Sequence, residues 1–87
     1  MPSYLVETFL ARGARERAPR EVRARSAAEE LTLKGTRVRF DRAIHVPEDE
    51  ICFFIFEAAS GRDAALAAQF ADLGPLRVVE AVSSGKE

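Results

Sequence analysis

Every residue from Ile51 to Phe56 is apolar. In an extended strand successive side chains point to opposite faces. Cys52, Phe54 and Phe56 therefore fall on one side, and Ile51, Phe53 and Ile55 on the other. A strand like this needs cover above and below. The chain has 87 residues, enough for one domain near the lower end of what folds alone. In so short a chain the second cover is expected from another copy of the protein.

The stretch before it, Val38 to Val46, alternates. Val38, Phe40, Ile44 and Val46 share one face, with Arg42 the exception, while Arg37, Arg39, Asp41, Ala43 and His45 share the other. That pattern predicts an edge strand with one wetter face. Pro47 ends it, because proline cannot donate to a ladder. Glu48, Asp49 and Glu50 then read as a solvated acidic turn, or as a surface cation site.

Two further strands and two helices complete the pattern. Tyr4 to Leu10 is rich in strand-forming residues and carries one charge, Glu7. An Arg- and Ala-rich lead-in reaches Pro19, which suits the first turn of a helix running to Leu33. Its narrow stripe, through Val22, Ser26, Ala27, Glu30, Leu31 and Leu33, is weak; Lys34 and Gly35 end it. Ser60 predicts the N-cap of a second helix, with Leu66, Ala67, Phe70, Ala71 and Leu73 as its buried stripe. Gly74 and Pro75 stop it, and Arg77 to Val82 is the last strand, followed by a polar tail at 83–87.

The element order β-α-β-β-α-β is the split-βαβ, ferredoxin-like arrangement, an α+β fold. Right-handed crossovers place both helices on one face of a four-stranded antiparallel sheet, in the order 4-1-3-2. Residues 1–87 form one domain. The central strands are then the first and third, the two least polar. The helix-free face would expose large apolar side chains, so a homodimer joined through that face is expected, closed as an α+β barrel.

The formal net charge is −1, which gives no overall attraction to nucleic acid or an anionic membrane. Arginines cluster locally at Arg12, Arg15, Arg17, Arg20, Arg23 and Arg25. No aromatic residue interleaves them to stack bases, so a solvated helix surface is the reading and no nucleic-acid partner is expected. One cysteine, Cys52, excludes an internal disulfide and a CxxC zinc site, and fits a reducing compartment. No apolar stretch approaches the ~20 residues of a membrane span, and no signal peptide is read at the N-terminus. The cytoplasm is the expected location, without membrane attachment.

Several strings, in order, resemble a known family. They are Tyr4-Leu5-Val6-Glu7, then Val46-Pro47-Glu48-Asp49-Glu50 followed by Cys52, then Phe56-Glu57-Ala58 before a Ser-started helix, and finally Val79-Glu80-Ala81-Val82. The chain is similar along nearly its whole length to a family of short bacterial proteins catalogued as a domain of unknown function and called nickel-binding-protein-like. The resemblance implies a ferredoxin-like fold, a dimer, and Ni²⁺ as a candidate ligand. It assigns no ligand residues.

The residues themselves offer one constellation. Glu7, Glu57 and Glu80 end apolar runs on strands that neighbour one another in the expected sheet. His45 and Asp41 lie on the adjoining edge strand. If these side chains shared the helix-free face, His45, Glu57, Glu7, Glu80 and Asp41 would make an oxygen-rich set suited to Ni²⁺, Mn²⁺ or Mg²⁺. In an apolar cavity one of them could instead act as a general base. The competing reading is that each glutamate is solvated at the rim or paired with Arg39, Arg42 or Arg77. Cys52 has no neighbouring base in sequence, so a buried structural thiol is expected. No HExxH, GxSxG or Gly-rich phosphate loop is present.

Three functions follow as expectations. The first is a small dimeric protein binding nickel or another divalent cation. The second is an enzyme of the dimeric α/β-barrel type, monooxygenase- or isomerase-like, using a cavity between the sheets with Glu7 or His45 as base. The third is a structural or interaction module without ligand. A non-enzymatic role is favoured.

Overall fold

The computed structural model describes residues 1–82, so the tail expected at 83–87 lies outside the described residues. Strand β1 (Ser3–Phe9) leads to helix α1 (Arg17–Leu33), then β2 (Val38–Val46), a 3₁₀ turn (Pro47–Asp49) and β3 (Ile51–Ala58). Helix α2 (Gly61–Phe70) and β4 (Pro75–Ala81) follow. The sheet order is β2-β3-β1-β4, antiparallel throughout. This is the ferredoxin-like α+β arrangement, with the expected strand order and both helices on one face. Among the described residues no helix is long and apolar enough to cross a membrane.

The core lies between the helices and that face. The sheet contributes large side chains: Val6, Leu10, Phe40, Phe54 and Phe56 are buried. The Phe40 and Phe56 rings pack at 5.5 Å between centroids, tilted by 59°, a favourable edge-on geometry. The helices contribute mainly alanine. Ala24, Ala27, Ala28 and Leu31 of α1 are buried, as are Ala64, Ala67 and Ala68 of α2. Small residues on the helices against large ones on the sheet let the two layers interdigitate.

This stripe bears out Ala27, Leu31, Ala67, Ala71 and Leu73 of the expected helix faces and corrects the rest. Val22 and Leu33 are 64% and 87% exposed, and Leu66 and Phe70 are 42% and 47% exposed. The spacing 24, 27, 28, 31 is itself a helical stripe, and it lies closer to the sheet because its side chains are short.

The ends of the elements are tied by specific bonds. The Ser60 hydroxyl accepts from the Asp63 amide, as its N-cap position requires. The Arg23 guanidinium donates to the carbonyls of Ala71 and Asp72, satisfying acceptors at the carboxyl end of α2. The Thr32 hydroxyl donates to the Val38 carbonyl and accepts from the Val38 amide, joining α1 to β2. Buried Thr8 donates to the Cys52 carbonyl at 2.8 Å. Among the described residues no buried side-chain nitrogen or oxygen lacks a hydrogen-bond partner.

Strand β2 departs from the expected alternation. Phe40 pairs with Phe56, and Arg42 then pairs with Ile55, leaving Asp41 as an extra residue in a bulge. Two residues against one reverse the facing of everything that follows. Ala43 and His45 turn toward the helices. Ile44 and Val46, expected beside Val38 and Phe40, turn to the open face. The exceptional arginine at position 42 was the trace of this bulge in the alternation.

Candidate functional site on the open face of the sheet

The strand registers arrange the helix-free face in four rows across the sheet. Ala81, Ser3, Glu57 and Arg39 form the first, and Val79, Leu5, Ile55 and Arg42 the second. Arg77, Glu7, Phe53 and Ile44 form the third, and Phe9, Ile51 and Val46 the fourth. Bulk is distributed unevenly. The third and fourth rows carry two phenylalanines with Ile44, Ile51 and Val46, the second carries Leu5, Ile55 and Val79, and Phe9 is 56% exposed. The first row carries serine and alanine. At that end the face sinks into a depression of about 340 Å³ lined by Ser3, Leu5, Asp41, Arg42, Ile55 and Ala81.

Each carboxylate on this face has an arginine partner. Arg77 Nε donates to Glu7 Oε1 at 3.1 Å, and Arg42 Nη1 to Asp41 Oδ2 at 3.0 Å. Arg39 Nε lies 3.5 Å from Glu57 Oε1. The carboxylates are the less exposed partners, at 20–30% against 64–67% for the arginines. The long side chains thus lie toward water and screen the acids within an apolar surface.

The structure divides the set suggested by the sequence. Glu7 and Glu57 share the open face, but Glu57 stands opposite Ser3 in the register. Four residues of strand, ~13 Å, separate the two positions along the sheet. Asp41 lies at the Glu57 end, on the bulge. Glu80 stands opposite Tyr4, so it lies on the helix-bearing face at the edge of β4. His45 stands opposite Cys52, also on the helix side, with Nε2 3.4 Å from the Leu10 carbonyl oxygen. Asp41 and His45, expected on one face, are separated by the bulge. Among the described residues no group of three or more His, Cys, Asp and Glu is placed to hold a metal ion. Within one chain, then, the fold does not assemble the five-residue set.

Two other concavities lie off this face. His45 lines one of about 360 Å³ with Gly13, Ala14, Arg15, Arg17, Ala18 and Pro47. A groove of about 470 Å³ runs between α1 and β2, where Arg25 lies 5.2 Å above the Phe40 ring. The arginine segment is largely engaged with the protein itself. Arg20 donates to the Phe9 carbonyl, Arg23 to the end of α2, and Arg17 pairs with Glu21.

Cys52 is free and fully buried. Desolvation raises its pKa, as does nearby Glu21, against opposing contributions from Arg20 and Arg17. A thiol held neutral in this way is a poor nucleophile.

Sequence reasoning missed Ser3 and Ala81, which make the depression, and Ile44 and Val46, which extend the apolar surface. Small residues at strand ends carry no chemical signal. The shift of Ile44 and Val46 was visible in the broken alternation at Arg42.

No family model matches the chain, and no curated protein matches it. Among solved structures it is similar to the crystal structure of SCO4226 from Streptomyces coelicolor A3(2), with a TM-score of 0.71 and 15% identity. The match covers 95% of this chain and 99% of that one. At that identity the likeness shows a shared fold.

Proposed function

We propose that this chain works as a small cytoplasmic homodimer, joined through the open face of its sheet, that binds a divalent cation with carboxylates of that face. The observation that carries the reading is the open face itself. Its centre is apolar, it exposes Phe9 and Ile44 to 56% and 42%, and Glu7, Asp41 and Glu57 are set within it. Large apolar surfaces of this kind mark interaction sites. A cation site built between two copies needs only one or two carboxylates from each, which suits a chain that does not gather three by itself. The family resemblance points to nickel, and oxygen-rich sites accept Ni²⁺, Mn²⁺ or Mg²⁺.

Titration with Ni²⁺, Co²⁺ and Mg²⁺ by calorimetry tests this. Uptake is expected at a fixed ratio per dimer. Glu57→Ala and Glu7→Ala should weaken it, whereas His45→Ala, on the other side of the sheet, should leave it unchanged. Absence of heat and of any thermal shift with all three metals would end the cation reading. Sensitivity to His45→Ala alone would move the site to the helix side.

A further inference from the structure

We propose that the concavity between the start of α1 and the end of β2 binds a phosphate group, as the free ion or as the head of a small phosphate monoester, through Arg15, Arg17 and His45. It lies on the helix side of the sheet and rests on neither the homodimer nor the cation reading.

The site begins with the bulge on β2. Without the extra residue at Asp41, His45 would share the open face with Arg39. The bulge turns its ring toward the helices instead, and re-aiming a side chain beside a site is a common use of bulges. The ring is half-buried there. Its Nε2 lies 3.4 Å from the Leu10 carbonyl oxygen, longer than the usual N–H···O distance. With Arg15 and Arg17 it lines a hollow of about 360 Å³, walled by Ala14, Ala18 and Pro47. That is a size suited to a small ligand.

Charge selects the ligand. Among the described residues no carboxylate lines the hollow. Glu16 and Glu48 adjoin lining residues in sequence but are not part of the wall. Other arginines of the segment are committed to the fold, Arg20 to the Phe9 carbonyl and Arg23 to the end of α2. Arg15 has no ion-pair partner among the described residues. Arg17 has Glu21 at 3.5 Å, with the arginine side chain 55% exposed, and so exposed a pair is weak enough for a dianion to compete with it. Glu16 makes no side-chain cap on α1 and the first turn holds no acid, so the positive end of the helix adds to the same field.

The number of donors favours phosphate over carboxylate. Each guanidinium fork matches two oxygens of a phosphate. The imidazole adds one N–H when neutral and two when charged. Two forks and a ring offer more donors than the two oxygens of a carboxylate can use, whereas a phosphate presents three or four oxygens.

His45 is the only histidine in the chain, so its ring resonances report binding without assignment. Titrating the metal-free protein with inorganic phosphate, at fixed neutral pH and with ionic strength held constant by chloride, should shift those resonances along a saturable curve. Arg15→Gln and Arg17→Gln should each weaken binding by roughly tenfold, as loss of a charge-assisted hydrogen bond does. Arg62→Gln, at the start of α2, should leave it unchanged. All three arginines are exposed, and amide spectra check that each variant folds. Acetate should shift the ring far less than phosphate does.

Glycerol 3-phosphate separates the two sources of the group. Tighter binding than inorganic phosphate assigns a monoester whose carrier lies against Ala14, Ala18 and Pro47, and equal or weaker binding assigns the free ion. The absence of a saturable shift at millimolar phosphate overturns the site. So does acetate binding as tightly as phosphate, or an affinity that ignores both Arg15→Gln and Arg17→Gln. An equal loss in Arg62→Gln would reduce the effect to overall charge and overturn it as well.

Discussion

Phe53 and Phe54 are adjacent on β3 and identical in chemistry, yet their surroundings differ. Phe54 is fully buried among the alanines of two helices, while Phe53 stands on the open face between Glu7 and Ile44. The same division runs through the sheet. On the helix side, large residues meet small ones and the layer is closed. On the open side Phe9 and Ile44 stay exposed and Phe53 is half-buried, and only Ile55 is buried within the single chain. The first face shows what makes this sequence fold, and the second is the surface on which the proposed homodimer would close.

The sharpest way to break that comparison is to truncate each phenylalanine in turn. Phe54→Ala should cost about 3–5 kcal/mol of folding stability, the usual loss for a fully buried aromatic ring. Phe53→Ala should cost on the order of 1 kcal/mol or less at dilutions where the protein is monomeric. It should also reduce the dependence of Tm on protein concentration, which a self-associating chain must show. Urea unfolding at two protein concentrations measures both effects. Equal losses at high dilution would mean that the open face contributes to folding as the core does, and the contrast would disappear.

A smaller effect concerns the thiol beneath the helices. Burial raises the Cys52 pKa above its ordinary value of 9.0. Below that pH the thiol is neutral in both folded and unfolded chains and contributes no pH dependence. As pH rises past 9.0 the unfolded chain gives up its proton first, so folding stability falls until the folded-state pKa is reached. Urea midpoints should therefore decline on the alkaline side more steeply for the parent than for Cys52→Ala, in which the thiol is gone. A parallel decline in the two proteins would show that the thiol does not couple to folding. The arginines that favour the thiolate, Arg20 and Arg17, would then have offset its burial.

The element order, the strand order and the bounds of β2 could be read from residue types, because strand alternation and turn residues are local signals. The one-sided helix cover followed from connection handedness. The candidate site was less legible. Grouping His45 with the acids required β2 to keep its period to the end, and the bulge at Asp41 broke that period. The pairing of Glu7, Asp41 and Glu57 with Arg77, Arg42 and Arg39 is a cross-strand or neighbour relation, which residue types allow but only register settles. The helix stripes were legible in part: Ala27, Leu31, Ala67, Ala71 and Leu73 are buried as expected, while Val22, Leu33, Leu66 and Phe70 are exposed. Leucine and phenylalanine dominate hydropathy, whereas alanine fits this layer by its size.

The smallest expected effect is also the one that separates the two faces most finely. The Glu7–Arg77 pair has an arginine that is 67% exposed, and a surface pair of this kind contributes at most ~1 kcal/mol. A double-mutant cycle with Glu7→Gln and Arg77→Gln in a Phe9→Ala background, kept monomeric by dilution, should return a coupling in that range, reduced further by salt. The same cycle read through dimer dissociation should return a larger coupling that salt alters less. Covering the face removes water from the pair, and a desolvated pair loses more when one partner is removed. The two couplings differ only if a second layer closes over Glu7. A coupling that is equally small and equally salt-sensitive in both states would place the pair in water even in the dimer, and would restrict the covered surface to Phe9, Phe53 and their aliphatic neighbours.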